Sequence, residues 1–148
     1  MAFLLFWFPE SPEDYKLSEM GGELELAIEQ STISGSPSHF ILRLSGYATP
    51  ANHAILTKAF QKVQDDLAQI PEPGGGVILD FKRLESVGSS CVGAMLSMSR
   101  NLQKAERRVV LAEVSPAILQ ILDMLQLRDL FPDFETEAQA HAALKTAI

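Results

Sequence analysis

The sequence predicts an α/β domain, a mixed sheet of four to five strands packed with about four helices. Three observations predict it. Strand-type and helix-type segments alternate from Glu23 onward. The first two strand segments are separated only by a turn-rich stretch, which implies an antiparallel pair. Val77-Ile78-Leu79 is a short continuous apolar run of the kind buried on both faces of a parallel sheet.

Taken in order, Glu23 to Gln30 places Leu24, Leu26 and Ile28 at every second position, a half-buried strand. Ser31 to Pro37 turns the chain into a second strand, His39 to Ser45. After Gly46-Tyr47-Ala48, Thr49 supplies a helix N-cap and Pro50 a first-turn proline. Ile55, Leu56, Ala59, Phe60, Val63 and Leu67 then recur at helical spacing. Pro71 to Gly76 stops that helix before the Val77–Leu79 strand. A helix opens around Ser89, with Val92, Met95, Leu96 and Leu102 on one face. Arg108 to Val114 reads as a strand, and Ser115-Pro116 opens a helix carrying Ile118, Leu119, Ile121, Leu122 and Leu125. Phe131 to Phe134 is a short edge strand. Thr136 and Gln139 form a capping box for an alanine-rich closing helix.

A chain of 148 residues, 47% hydrophobic and 21% charged, has the profile of one ordinary globular domain. Its formal charge is −7, and its few cations are scattered apart from Lys82-Arg83 and Arg107-Arg108, which argues against direct nucleic-acid binding. Cys91 is the sole cysteine, so no intrachain disulfide can form and a reducing cytoplasm fits. Residues 1–22 are set apart from a domain at 23–148. The run Phe3 to Phe8 is apolar but far shorter than the ~20 residues needed to cross a bilayer, and it lacks the basic start and small-residue cleavage site of a signal peptide. It reads as a docking tail, a weak membrane-surface contact, or sequence upstream of a true start at Met20. The third is preferred, because the patterned sequence begins only after Met20-Gly21-Gly22.

Across roughly Leu24 to Leu144 the chain resembles the STAS domains, and within them the bacterial anti-sigma factor antagonists. The resemblance is carried by Leu42-Arg43-Leu44-Ser45-Gly46, by Val77-Ile78-Leu79-Asp80-Phe81 followed by Leu84 to Ser90, by Arg108 to Pro116, and by Leu127-Arg128-Asp129-Leu130-Phe131. It implies that the serine at position 89 is phosphorylated by a partner kinase, histidine-kinase-like in fold, that is itself the anti-sigma factor. A serine phosphatase would reverse the modification. Ser90 is the alternative acceptor, and Gly88, Ser90, Cys91 and Val92 form the expected partner surface. Gly88 stands where the family carries aspartate and Cys91 where it carries glycine, leaving Glu85 as the nearby carboxylate.

The physical case for a switch is independent of family. A phosphate on Ser89 would sit at a helix N-terminus, where free N–H groups and the dipole favour an anion. It would add about −1.5 to −2 charges and penalise any partner that buries it. The competing reading is that Ser89 and Ser90 only cap the helix. Cys91 reads as a small buried hydrophobe in preference to a redox sensor.

Catalytic readings are weaker. A nucleophile elbow needs glycine at Val92 and a strand ending directly before the motif, whereas the eight residues from Phe81 to Gly88 intervene. His39, His53 and His141 are far apart in sequence and lack metal-ligand spacing. No enzyme, cofactor or metal is expected. The alternative function is that of a STAS subunit bracing a lipid-transporting ABC complex.

Overall fold

A computed structural model describes residues 24–31 and 39–145; the expectations for residues 1–22 lie outside them. Five strands form one sheet in the order β1-β2-β3-β4-β5: β1 Leu24–Ser31, β2 His39–Ala48, β3 Gly76–Val87, β4 Arg108–Ala112 and β5 Asp133–Phe134. β1 runs antiparallel to β2, and the remaining neighbours are parallel. The helices are α1 His53–Ala68, α2 Ser89–Gln103, α3 Pro116–Met124 and α4 Glu137–Lys145.

Side chains alternate across the sheet. Leu24, Leu26, Phe40, Leu42, Leu44, Leu79, Phe81 and Leu111 bury one face against α1, α2 and α3. The opposite face presents Ile41, Ile78, Val110 and Ala112, covered by Ala140 and Leu144 of α4.

Several boundaries differ from the expectation. β3 spans twelve residues instead of three, because its second half continues the ladder along β2 from Ser45↔Arg83 to Ala48↔Val87 with register shifts. Exposed Lys82, Arg83 and Glu85 broke its apolar pattern, although Leu84 still points into the core. Thr49 makes no side-chain cap; a 3-10 turn at Pro50–Asn52 comes first, and Asn52 N–H donates to the Thr49 carbonyl at 2.9 Å. Ser115 does cap α3, accepting from the Ile118 N–H at 3.4 Å. Thr136 accepts from the Gln139 N–H at 3.1 Å, while the Gln139 side chain reaches back to the Glu135 N–H at 2.9 Å.

Two features fix the start of β3. A Cβ on Gly76, whose φ is +142°, would lie 1.9 Å from the Arg108 carbonyl oxygen, so only glycine allows β4 this close. The buried Arg107 guanidinium donates to the carbonyls of Leu67, Ile70 and Gly74 at 2.8 to 3.0 Å, tying the end of α1 to the turn before β3.

Candidate functional site

β3 runs directly into α2. The Gly88 N–H donates to the Ala48 carbonyl at 2.8 Å, and its own carbonyl accepts from Cys91 and Val92 at 3.1 and 3.2 Å, which closes the first turn. Gly88 is therefore the N-cap, with extended backbone (φ −96°, ψ 169°) and no side chain capping the helix. Its conformation is open to any residue. An added Cβ would lie 3.3 Å from the Ala48 oxygen and 3.7 Å from Pro50 Cδ.

Ser89 occupies the first helical position and is exposed, whereas the Ser90 Oγ is buried with no hydrogen-bond partner. One turn on from Ser89, Gly93 is exposed, and an added Cβ there would meet nothing within 4 Å. Ser89 and Gly93 thus share an open helix face. Tyr47, 45% exposed, lies opposite Ser86 at the end of the β2–β3 ladder, next to the exposed Pro50 and Ala51. Ser89 and Gly93 leave small side chains and one hydroxyl open at the mouth of the helix, and Pro50 Cδ lies 3.7 Å from where a Gly88 Cβ would stand.

A second concavity, about 560 Å³, opens on the opposite face of the sheet beside α4. Its floor holds Asp80, 6% exposed, whose Oδ1 accepts from the Lys82 N–H at 2.8 Å. Burial first, and then the hydrogen bond to the Glu137 carboxyl, push the Asp80 pKa up to about 7. Glu137 in turn accepts two bonds from the Arg43 guanidinium, at 2.8 and 2.9 Å, and Arg43 also donates to Glu29 at 2.8 Å. Burial acts to raise the Glu137 pKa, but the bonds from Arg43 and Asp80 outweigh it and hold it down to about 2. Principally through Glu137, the Arg43 pKa is raised above its ordinary value.

A model of the STAS domain family matches residues 27–140. The chain belongs to the STAS domain family. It is similar to BtrV of Bordetella bronchiseptica, which carries the name of an anti-sigma factor antagonist; the two are 27% identical over 81 residues, 55% of this chain and 70% of that one. An anti-sigma factor antagonist from Mycobacterium paratuberculosis superposes with a TM-score of 0.65 at 18% identity, covering 82% of this chain and 95% of that one. SpoIIAA of Bacillus superposes in its unphosphorylated form with a TM-score of 0.62, covering 82% and 100% of the two chains. In its phosphorylated form the TM-score is 0.56, with 79% and 99% covered; identity is 20% for both.

Within this STAS domain, two of the residues expected on the partner surface are buried. Cys91 and Val92 are 1% and 5% exposed, because they begin the apolar stripe of α2 and point into the core. They support the turn from beneath, and Ser89 and Gly93 are exposed on it. Burial pushes the Cys91 thiol up to about 12, which removes the redox-sensor reading. The helix-capping reading of the serines also fails, since the N-cap is Gly88 and Ser90 Oγ bonds to nothing. Glu85 is exposed on β3 and does not cap α2.

The eight-residue gap used against a nucleophile elbow is absent, because β3 ends at Val87. Val92 still stands where an elbow needs glycine, and the Ser90 Oγ has no hydrogen-bond partner among the described residues. His39 and His141 do meet, ring nitrogen to ring nitrogen, with centroids 4.3 Å apart. Among the described residues, no group of three or more His, Cys, Asp or Glu side chains could hold a metal.

The Arg43–Glu137–Asp80 network is absent from the sequence reading. Its one legible signal was Asp80 inside the apolar run Val77 to Phe81, since a carboxyl in a buried strand must find partners. Nothing along the chain pointed to Glu137.

Proposed function

We propose that this STAS domain is an anti-sigma factor antagonist whose binding to an anti-sigma factor is switched off by phosphorylation of Ser89. The observation that carries the reading is the contrast between neighbours: Ser89 is exposed at the first position of an α2 that no side chain caps, while the Ser90 hydroxyl is buried. The names of BtrV, the mycobacterial protein and SpoIIAA, and the phosphorylated form of SpoIIAA, support the same reading.

The mechanism is electrostatic. The first N–H groups of a helix have no intrahelical acceptor, so a phosphate on Ser89 meets donors and the positive end of the dipole within its own domain. The fold tolerates it. A partner seated on Ser89 and Gly93 must desolvate an anion of about −1.5 to −2 charges. Burying it without a matching cation costs on the order of several kcal/mol, and each ~1.4 kcal/mol is a tenfold loss of affinity. The unmodified protein sequesters the anti-sigma factor and frees the sigma factor, so transcription is regulated without direct contact with nucleic acid. The kinase and a serine phosphatase supply the chemistry, and this chain is a binding protein acting in the cytoplasm.

The test is incubation with ATP and the histidine-kinase-like anti-sigma factor, read by mass spectrometry. One phosphoryl group is expected on the wild type and on Ser90→Ala, and none on Ser89→Ala. An unlabelled wild type, or equal labelling of Ser89→Ala, overturns the reading. Copurification with an ABC permease and its ATPase, without the kinase, would support the structural-subunit function instead.

A further inference from the structure

α4 is attached to the sheet by polar groups as well as by apolar ones. Of its described side chains only Ala140 and Leu144 are buried. Its polar ties include the Arg43 fork on Glu137, the Asp80–Glu137 hydrogen bond, the His39–His141 contact, and the Arg108 guanidinium on the Ala143 carbonyl. A helix of nine residues is not stable alone in water, so α4 is helical only while docked. Beneath it lie Ile41, Ile78, Val110 and Ala112, an apolar strip on the same sheet face as Asp80, which pairs in register with Ala112.

We propose that α4 is a detachable cover over this strip, latched by a proton shared between Asp80 and Glu137 and loosened as rising pH removes that proton. The face it covers is opposite the Ser89 surface, so the device acts independently of the proposed phosphorylation.

The sign follows from the groups around Asp80. From β1 come Glu25 and Glu29, from β2 His39 and Arg43, from β3 Lys82 with the rim residue Arg83, from β4 and its end Arg108 and Glu113, and from α4 Glu137 and His141. Arg43 is a single guanidinium already shared between Glu29 and Glu137, and Lys82 is 65% exposed and 3.9 Å from Glu113. Ionised Asp80 would be a further carboxylate beside Glu137 without a cation of its own. Protonated, its hydroxyl donates to Glu137.

The docked pKa of Asp80 is about 7, and the undocked group relaxes toward the ordinary aspartate value of about 3.9. The latch is therefore complete below about pH 4, weakens between about 4 and 7, and gains nothing further above 7.

The experiment is hydrogen exchange of the full chain at several pH values from 5.5 to 8, corrected for intrinsic exchange rates and followed in residues 137–145, with residues 53–68 as the control. The ratio of wild-type to Asp80→Asn protection in α4 should fall by up to about tenfold per pH unit below 7 and then level off, while the control ratio stays constant. Glu137→Gln, which also removes the carboxylate held by the Arg43 fork, should flatten the wild-type slope and provides the comparison if Asp80→Asn does not fold. A ratio independent of pH, or a wild-type slope retained in Glu137→Gln, overturns the proposal.

Discussion

The backbone N–H of Gly88 donates to the carbonyl of Ala48 at 2.8 Å, joining the end of β2 to the mouth of α2. Through this bond the last β2–β3 pair, Ala48↔Val87, sets where Ser89 emerges. The serine is presented by the sheet and not by a free loop, so its position is rigid while its hydroxyl stays open.

Ser89→Asp places a carboxylate at the first position of α2. Stability should rise or hold, by about 0.3 to 1 kcal/mol at most, because an acid in the first turn complements the helix dipole. Affinity for the anti-sigma factor should fall at least about tenfold. Urea denaturation and titration calorimetry measure the two separately; a large loss of stability would contradict the account of the helix mouth.

Gly88→Asp installs the carboxylate found elsewhere in the family. The backbone angles accept it, and the added Cβ would need to ease away from the Ala48 oxygen at 3.3 Å. An aspartate N-cap exceeds glycine by only a few tenths of a kcal/mol, so the net change should stay within about 1 kcal/mol. Phosphorylation of Ser89 should continue in this variant. Loss of labelling together with intact folding would show that the glycine itself is required by the kinase.

Two glycines should respond oppositely to alanine. Gly76→Ala drives a Cβ to 1.9 Å from backbone at a positive φ, so it should cost at least about 3 kcal/mol or prevent folding. Gly93→Ala meets open space within α2 and should stabilise the protein by about 0.5 to 1 kcal/mol. Thermal denaturation of both variants checks the pair. Alanine at 93 should also narrow the surface beside Ser89 and weaken the anti-sigma factor complex.

Arg107→Met retains much of the apolar stem but takes the guanidinium donors from the carbonyls of Ile70 and Gly74, while the Leu67 carbonyl keeps the Ile70 N–H at 3.0 Å. Each buried unsatisfied acceptor costs about 1 to 3 kcal/mol, less whatever water recovers, so a loss of about 2 to 4 kcal/mol is expected. A shift in the urea midpoint of under 0.5 kcal/mol equivalent would mean that the guanidinium is dispensable.

At acid pH the Arg43–Glu137 fork should fail. The folded pKa of Glu137 lies near 2, below the ordinary glutamate value of 4.5. Its contribution is therefore present above about pH 4.5 and is lost as pH falls through 2. Urea midpoints from pH 5 to 2 should decline less steeply in Glu137→Gln than in the wild type. Equal slopes would place the acid sensitivity elsewhere.

Much of the scaffold was legible because its signals are local. Alternation in Leu24 to Ile28, the helical stripe from Ile55 to Leu67, and the caps at Ser115 and Thr136 each depend on residues a few positions apart. The length of β3 was hidden because Lys82, Arg83 and Glu85 face outward along a strand whose other neighbours are buried. Thr49 was misread as a cap because the chain makes a 3-10 turn before α1, which no local propensity specifies.

The sequence by itself determined the order of strands and helices, the STAS resemblance and a pair of serines at a helix mouth, since these depend on periodicity and short-range motifs. Only the tertiary structure decided which hydroxyl is open, that Cys91 and Val92 lie beneath the surface, and that His39 meets His141 across 102 positions. It also brought Arg43, Asp80 and Glu137 from three elements into one network. Exposure and protonation are set by groups supplied from distant parts of the chain, and their approach is fixed by core packing, which no local pattern contains.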